Sequence, residues 1–174
     1  MDIHWSTSGG YKVIDNYLPL EDFEVIQRQI TGDDQVFPWY YNKFVDNRSK
    51  GETHDHFYFC HVVYNDNKPN SDYYNTVLPL INKINPISLI RIKANGYPKN
   101  GDKITKYNYH TDYRFKHKGA IFYLNTNNAK TILEDGTEID SIENRILFFD
   151  PSMPHTCTNA TDVKMRFNIN INYL

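Results

Sequence analysis

The second half of the chain is a succession of short segments rich in aromatic and β-branched residues, which favour strands. From residue 87 to 173 these segments alternate with clusters of Asn, Gly, Asp and Pro, which favour turns. About seven strands at such regular spacing indicate a sandwich or jelly roll. Residues 134–137 (EDGT) predict a hairpin between two of the strands. The segments predicted as strands are 11–15, 36–44, 56–64, 87–94, 103–110, 119–125, 130–135, 145–150 and 164–174.

Two segments of the first half have the hydrophobic spacing of helices. In residues 18–30 apolar side chains recur at helical spacing, and Gly32 follows as a stop signal. A second helix is predicted over residues 71–84, where Pro79 must kink or interrupt it. We therefore expect one β-rich (α+β) domain over residues 1–174. Its helix-containing N-terminal region, residues 1–86, should pack on the outside of one sheet of a β core formed by residues 87–174.

The composition restricts the classes of function. The 174 residues are 40% hydrophobic and 23% charged with a net charge of −2, which is typical of a globular protein. Because no basic tract occurs, we do not expect a nucleic-acid partner. Cys60 and Cys157 are the only cysteines, too few for a disulfide framework. With no signal-like N-terminus and no apolar run of membrane-spanning length, we expect a cytoplasmic protein without a membrane partner.

His110 and Asp112 are separated by a single residue in an aromatic, strand-like segment. Alternate side chains of a strand share a face, so this spacing brings an imidazole and a carboxylate together. His155 follows a Pro-rich turn after the apolar segment 145–149. Two histidines and one carboxylate on rigid strands form the facial triad of non-haem iron oxygenases.

Arg166 lies in a C-terminal segment that otherwise has the composition of a core strand. A buried guanidinium needs an anionic partner, because an unpaired buried charge is costly. A bound dicarboxylate would supply one, and the guanidinium fork suits a carboxylate. Lys164 has the same strand parity as Arg166, so the alternation alone does not separate the two candidates.

These residues, taken in order, resemble the signature of the 2-oxoglutarate- and Fe(II)-dependent oxygenases, in particular the prolyl 4-hydroxylase-like branch. The motif IFYLN at 121–125 resembles the branch's strand whose Tyr contacts 2-oxoglutarate, and RILFFD at 145–150 resembles the strand before the second His. The motif RFNININY at 166–173 resembles the final strand. The resemblance extends more weakly upstream, through FPWYY and LIRIKAN, where the chain is similar to small oxygenases of marine phages. A phage-encoded protein would work in the host cytoplasm.

The resemblance implies a double-stranded β-helix, the cupin-like form of the jelly roll. It implies that Fe(II), 2-oxoglutarate and O2 are used, and that ascorbate could assist. His110, Asp112 and His155 would hold the iron, and Arg166 and Tyr123 the far carboxylate of 2-oxoglutarate. Further candidates for contact with the cosubstrate are Asn95, Tyr97 and Asn168. Asn168 departs from the family, which often has Ser or Thr there.

The implied reaction hydroxylates an unactivated C–H bond, with a prolyl residue of a peptide or protein as the expected substrate, and releases succinate and CO2. A non-catalytic, metal-binding cupin is one alternative. A nucleic-acid dealkylase is a lesser one, because Arg166 and Asn168 match its Arg-x-Asn motif, whereas Asn172 stands where that family has a second Arg.

Two further features are candidates for a functional role. His54, His56 and His61 form a second group of histidines, but His61 has the opposite parity from the other two, so a polar edge strand explains them better than a metal site. Two segments are candidate lids over the substrate: residues 113–118, directly after the first ligands, and residues 37–55.

Overall fold

The computed structural model describes residues 10–32, 36–45 and 57–174. Antiparallel strands make up most of these ranges. The strands are β1 (Lys12–Ile14), β2 (Tyr40–Asn42), β3 (Tyr58–Asn65), β4 (Lys68–Pro69), β5 (Leu89–Pro98), β6 (Lys118–Tyr123), β7 (Asn127–Leu133), β8 (Glu138–Ser141), β9 (Ile146–Phe149), β10 (His155–Cys157) and β11 (Met165–Tyr173). The helices are α1 (Leu20–Thr31) and α2 (Leu78–Ile84), and a 3-10 turn spans Asp72–Tyr74.

The strands form two sheets that face each other. The larger has the order β1-β9-β6-β11-β5-β3-β2, with β4 paired to β3, and the smaller has the order β10-β7-β8. Apolar side chains of β6 and β9 pack against those of β7 and β8 between the sheets. This arrangement confirms the predicted β-rich double-stranded β-helix. Strands from the first half of the chain extend the larger sheet, since β1 pairs with β9 and β3 with β5.

The helices cover the outer face of the larger sheet. Phe23, Ile26 and Ile30 of α1 are buried in one cluster with side chains of β5, β6, β9 and β11. Gly32 ends α1 with a φ of 92°, as predicted from its position. The second predicted helix is interrupted: a 3-10 turn precedes α2, and Pro79 lies in the first turn of α2, where its missing N–H is not needed. The predicted placement of the helices on the outside of one sheet is confirmed.

The alternation of β11 divides its side chains between two environments. Phe167, Ile169 and Ile171 join the cluster under the helices. The intervening side chains are polar, buried and directed to the space between the sheets; they are those of Arg166, Asn168, Asn170 and Asn172. The partner strand β5 alternates in the same register, with Ile92 and Ala94 under the helices. Both strands therefore present polar residues to the interior.

Two strand predictions need correction, and the short strands β4, β8 and β10 were not predicted. The segment predicted at 103–110 forms isolated bridges at Lys106 and His110 rather than a regular strand, because the Asn159 side chain binds the backbone of Asn100, Lys103 and Thr105 where a ladder would run. Of the strand predicted at 36–44, only residues Tyr40–Asn42 form a strand, β2. Although β8 itself was not predicted, the hairpin at 134–137 that joins β7 to β8 was.

No helix in the described ranges is long and apolar enough to cross a membrane.

Candidate active site

Backbone hydrogen bonds fix two distant segments at one end of the smaller sheet. His110 and His155 exchange N–H···O bonds of 2.9 Å in both directions. The N–H of Asp112 donates to the carbonyl of Pro151, also at 2.9 Å. The segment that contains His110 and Asp112 is therefore extended and paired, although it is not a regular strand. The same parity that applies to a strand places both side chains beside His155.

The three predicted metal ligands come together. One possible ligand atom from each of His110, Asp112 and His155 lies within 4.8 Å of the others. Within residues 10–32, 36–45 and 57–174 this is the one group of three His, Cys, Asp or Glu residues with that geometry. The Nδ1 atom of His155 lies 3.1 Å from the carbonyl oxygen of Met153, which leaves Nε2 for a metal. The Nδ1 atom of His110 is buried without a hydrogen-bond partner among the described residues.

The charge states of these residues suit a divalent metal. Burial, reinforced by the neighbouring His155, lowers the pKa of His110 to about 4, so its imidazole is neutral at pH 7. Burial raises the pKa of Asp112, but His155 and Arg91 outweigh this effect and hold the pKa below its usual value. A neutral imidazole beside an ionised carboxylate is a set of donors that first-row metals bind.

Three polar residues that were not predicted as site residues surround the Asp112 carboxylate. Its Oδ2 atom accepts hydrogen bonds from the side-chain amides of Asn170, at 3.1 Å, and Asn172, at 2.8 Å. Its Oδ1 atom lies 3.5 Å from Nη2 of Arg91. The same Nη2 atom donates to the amide oxygen of Asn172 at 3.1 Å. We call Arg91, Asn170 and Asn172 the Asp112 clamp.

Arg166 and Tyr123 lie close together in the interior between the sheets. The Arg166 side chain is only 2% exposed, and no acidic side chain in the described ranges of the chain pairs with it. Its Nη1 donates to the carbonyl of Thr158 at 3.2 Å, its Nη2 to the hydroxyl of Thr131 at 3.4 Å, and Nε has no partner. The Tyr123 hydroxyl donates to the same Thr131 at 2.8 Å. The guanidinium and the phenol thus converge, and no carboxylate of the described residues neutralises the buried cation.

The other residues predicted to contact 2-oxoglutarate lie beside Arg166. In register, Tyr97 is opposite Arg166, and its ring centroid is 5.3 Å from the guanidinium carbon. Asn95 is opposite Asn168, and its amide donates to that of Asn168 at 3.0 Å. Burial raises the pKa of Tyr123 to about 12, so its hydroxyl remains a donor. Lys164, the rival of Arg166, precedes β11 and is exposed.

One wall of the interior was not anticipated from the sequence. The ring of Tyr58 stacks on that of Tyr97, with 5.3 Å between centroids. Lys93 donates to the Tyr58 hydroxyl at 3.4 Å, and burial lowers the pKa of this lysine. The sequence signal for this wall was the spacing of polar and aromatic side chains at every second residue of β5: Arg91, Lys93, Asn95 and Tyr97.

Of the second histidine group, only His61 lies in the described residues. The expectation of a polar edge strand is wrong for His61, because β3 lies between β5 and β2. The His61 side chain is buried, and its Nδ1 atom lies 2.7 Å from the carbonyl oxygen of Pro38. His54 and His56 lie outside the described residues, as does most of the candidate lid at 37–55.

Comparison with known proteins gives a result only at the level of structure. Neither a protein-family model nor a curated protein sequence matches the chain. Solved structures do match. A prolyl hydroxylase from Trichoplax adhaerens, in complex with a hypoxia inducible factor oxygen degradation domain peptide, superposes with a TM-score of 0.69 and 17% identity over 96% of this chain and 84% of that one. An oxidoreductase of the 2OG-Fe(II) oxygenase family from Burkholderia pseudomallei gives 0.65 and 11%, over 94% and 84%.

The fold is that of the 2-oxoglutarate- and iron-dependent oxygenases. A third match, the non-heme α-ketoglutarate-dependent epimerase SnoN from nogalamycin biosynthesis, has a TM-score of 0.62 and 12% identity over 95% of this chain and 78% of that one. The fold therefore accommodates different reactions, and at these identities the likeness concerns the fold alone.

Proposed function

We propose that this protein is an Fe(II)- and 2-oxoglutarate-dependent dioxygenase. The observation that supports the proposal best is the combination of the His110–Asp112–His155 cluster with a buried Arg166 that has no acidic partner in the described residues. The cluster offers a donor set for a divalent metal, and the guanidinium offers a site for an anion in the same interior. 2-Oxoglutarate has both a metal-chelating end and a distal carboxylate, so a single ligand fits the two features.

Each residue has a definite role in this proposal. His110, Asp112 and His155 would hold the iron through two neutral imidazoles and one carboxylate. Bound iron would supply the reaction of O2 with 2-oxoglutarate, which places one oxygen atom in succinate and the other in the hydroxylated substrate and releases CO2.

Arg166 and Tyr123 would bind the distal carboxylate, the arginine by a charge-assisted pair and the tyrosine as a neutral donor. Tyr97, Asn95 and Asn168 would line the pocket. The hydrogen bond between Asn95 and Asn168, and the contact of the Tyr97 ring with Arg166, would keep these side chains in place before the cosubstrate binds.

As the substrate we propose a prolyl residue of a peptide or protein. Support comes from the sequence resemblance to the prolyl 4-hydroxylase-like branch and from the fold shared with a prolyl hydroxylase whose structure contains a peptide. The small net charge of −2 favours a protein substrate over a nucleic acid. Cytoplasmic location, kinship with phage oxygenases and use of ascorbate stay predictions from the sequence.

The test is conversion of 2-oxoglutarate to succinate by the purified protein with Fe(II) and O2, alone and with a panel of proline-containing peptides examined for a gain of one oxygen. We expect succinate formation from the wild type, and none from His155→Ala with an unchanged circular dichroism spectrum. Normal turnover by His155→Ala would contradict the assignment of the triad. A wild type that binds metal but never forms succinate would favour the non-catalytic cupin alternative.

A further inference from the structure

The Asp112 carboxylate has one oxygen that is already saturated by the protein. Its Oδ2 atom accepts two amide hydrogens, from Asn170 at 3.1 Å and from Asn172 at 2.8 Å. Among the described residues, its Oδ1 atom has only the longer contact with Arg91, at 3.5 Å. The two oxygens are therefore not equivalent, and Oδ1 is the one with lone pairs available to a metal.

The orientation of the Asn172 amide is fixed from a neighbouring strand. An asparagine amide can present either its oxygen or its nitrogen to a carboxylate, and only the nitrogen can donate. Nη2 of Arg91 on β5 donates to the Asn172 oxygen at 3.1 Å, so the amide nitrogen is turned towards Asp112. Asn172 and Arg91 are also direct register partners in the β11–β5 pair. The arginine thus acts on Asp112 both by its charge and through Asn172.

We propose that the Asp112 clamp consists of positioning residues for the metal. Asn170 and Asn172 hold Oδ2, Arg91 orients Asn172, and together they direct Oδ1 of Asp112 towards the space between the two histidines. This inference rests on the proposed function, because it assigns a role with respect to the iron ligand. Outer partners of this kind fix the orientation of a ligand, and their loss commonly weakens metal binding about 10- to 100-fold.

A purely electrostatic role of Arg91 and a positioning role predict opposite changes in metal affinity when Arg91 is replaced. If the arginine acted only as a nearby positive charge, its removal would relieve repulsion of the metal and tighten binding. If it acts by orienting Asn172, its removal must weaken binding. The sign of the change in metal affinity for Arg91→Met therefore separates the two accounts.

The experiment is a titration of metal-free protein with Co(II), followed by visible absorption and without cosubstrate or turnover. We expect Asn172→Ala and Arg91→Met each to weaken Co(II) binding about 10- to 100-fold. The matched control is Asn127→Ala. Asn127 is also buried, and outside the clamp its side-chain amide donates to two oxygen atoms of Asn125 and accepts from the N–H of Ala129. This variant should bind Co(II) like the wild type.

Two further variants protect the test against a simple loss of folding. Arg91→Lys keeps the charge but lacks the planar fork, so it should recover only some of the affinity. The double variant Arg91→Met/Asn172→Ala should lose less than the product of the two single losses, because both act through one hydrogen bond.

Unchanged Co(II) affinity in Asn172→Ala, or tighter binding in Arg91→Met, would overturn the inference while leaving the proposed function intact. A wild-type protein that fails to bind Co(II) would instead refute the metal site and the proposed function with it.

Discussion

Replacement of Arg166 by Met gives the most direct test of the cosubstrate pocket. Methionine removes the charge and the five N–H donors while filling similar volume. In the structure its two hydrogen bonds to oxygen atoms of the described residues are both long, to the carbonyl of Thr158 at 3.2 Å and to the hydroxyl of Thr131 at 3.4 Å, and the Cys157 side chain also interacts with the guanidinium. The Nε atom has no partner among the described residues and the other contacts are weak, so the guanidinium can still bind a ligand and the loss on substitution should fall on ligand binding.

The magnitude follows from the burial of the pair. Removing one partner of a buried charge pair costs on the order of 2–5 kcal/mol, much of it from the stranded charge of the other partner. Each 1.4 kcal/mol is a factor of ten, so we expect the dissociation constant of 2-oxoglutarate to rise by about one to three powers of ten. Metal affinity should change far less, because Arg166 contacts none of the three metal ligands.

Although Arg166→Met should weaken ligand binding, it should raise the free energy of unfolding of the ligand-free protein. A buried cation without an anion destabilises the ligand-free protein, and replacing such a charge with an apolar side chain of similar volume often stabilises by about 1–4 kcal/mol. The Met variant should therefore resist urea better than the wild type in the absence of 2-oxoglutarate. Excess 2-oxoglutarate should narrow or reverse this difference, because it stabilises mainly the wild type.

The assay is anaerobic titration of the Fe(II)-loaded protein with 2-oxoglutarate, with the exposed Lys164→Met as the matched control. Lys164→Met should bind 2-oxoglutarate normally. A large loss of affinity in Lys164→Met together with normal binding by Arg166→Met would refute the reasoning and move the anchor to Lys164.

Three further predictions concern the same interior. Tyr123→Phe should weaken 2-oxoglutarate binding about fivefold, the value of one hydrogen bond of about 1 kcal/mol, and an unchanged affinity in the same titration would remove Tyr123 from the pocket. The loop at 113–118 should exchange its amide hydrogens more slowly once metal and 2-oxoglutarate are bound, and equal exchange in both states would argue against a lid there. The metal-free protein should lose stability as the pH falls from about 6.5 towards 4, because the pKa of His110 is lowered to about 4 and the unfolded chain takes up the proton first. His110→Asn should flatten that dependence in urea unfolding at pH 7 and pH 5, and an unchanged slope would assign it to other groups.

Much of the candidate metal site could be predicted because it depends on local spacing. His110 and Asp112 lie two residues apart, and any extended backbone directs both side chains to one side. The structure retains this outcome although the predicted strand is absent, since the N–H groups of both residues bond to the segment around His155. The segment predicted at 103–110 failed because the Asn159 side chain, more than fifty residues away, replaces the ladder partner. No local sequence pattern indicates such a long-range contact.

The Asp112 clamp could not be predicted, because it depends on register. Asn172 and Arg91 are brought together only by the alignment of β5 with β11, and strand composition does not specify which residues of two strands are opposite. In the sequence, Asn172 is notable only as the position where the nucleic-acid dealkylases have a second Arg. In the structure the guanidinium that lies 3.5 Å from the Asp112 carboxylate is that of Arg91 on β5.

The alternation of β11 links the helices to the chemistry. Its apolar side chains are held under α1 and α2, and a slip of one residue would exchange them with the polar set. Arg166 and Asn170 are four residues apart on the inner face, about 13 Å along a strand at ~3.3 Å per residue. The strand geometry therefore sets the distance between the proposed carboxylate anchor and the clamp on the metal ligand, and packing on the helix side sets the face on which both lie. A slip of β11 would expose Phe167, Ile169 and Ile171 to the polar interior, and this unfavourable free energy keeps Arg166 and Asn170 on the inner face.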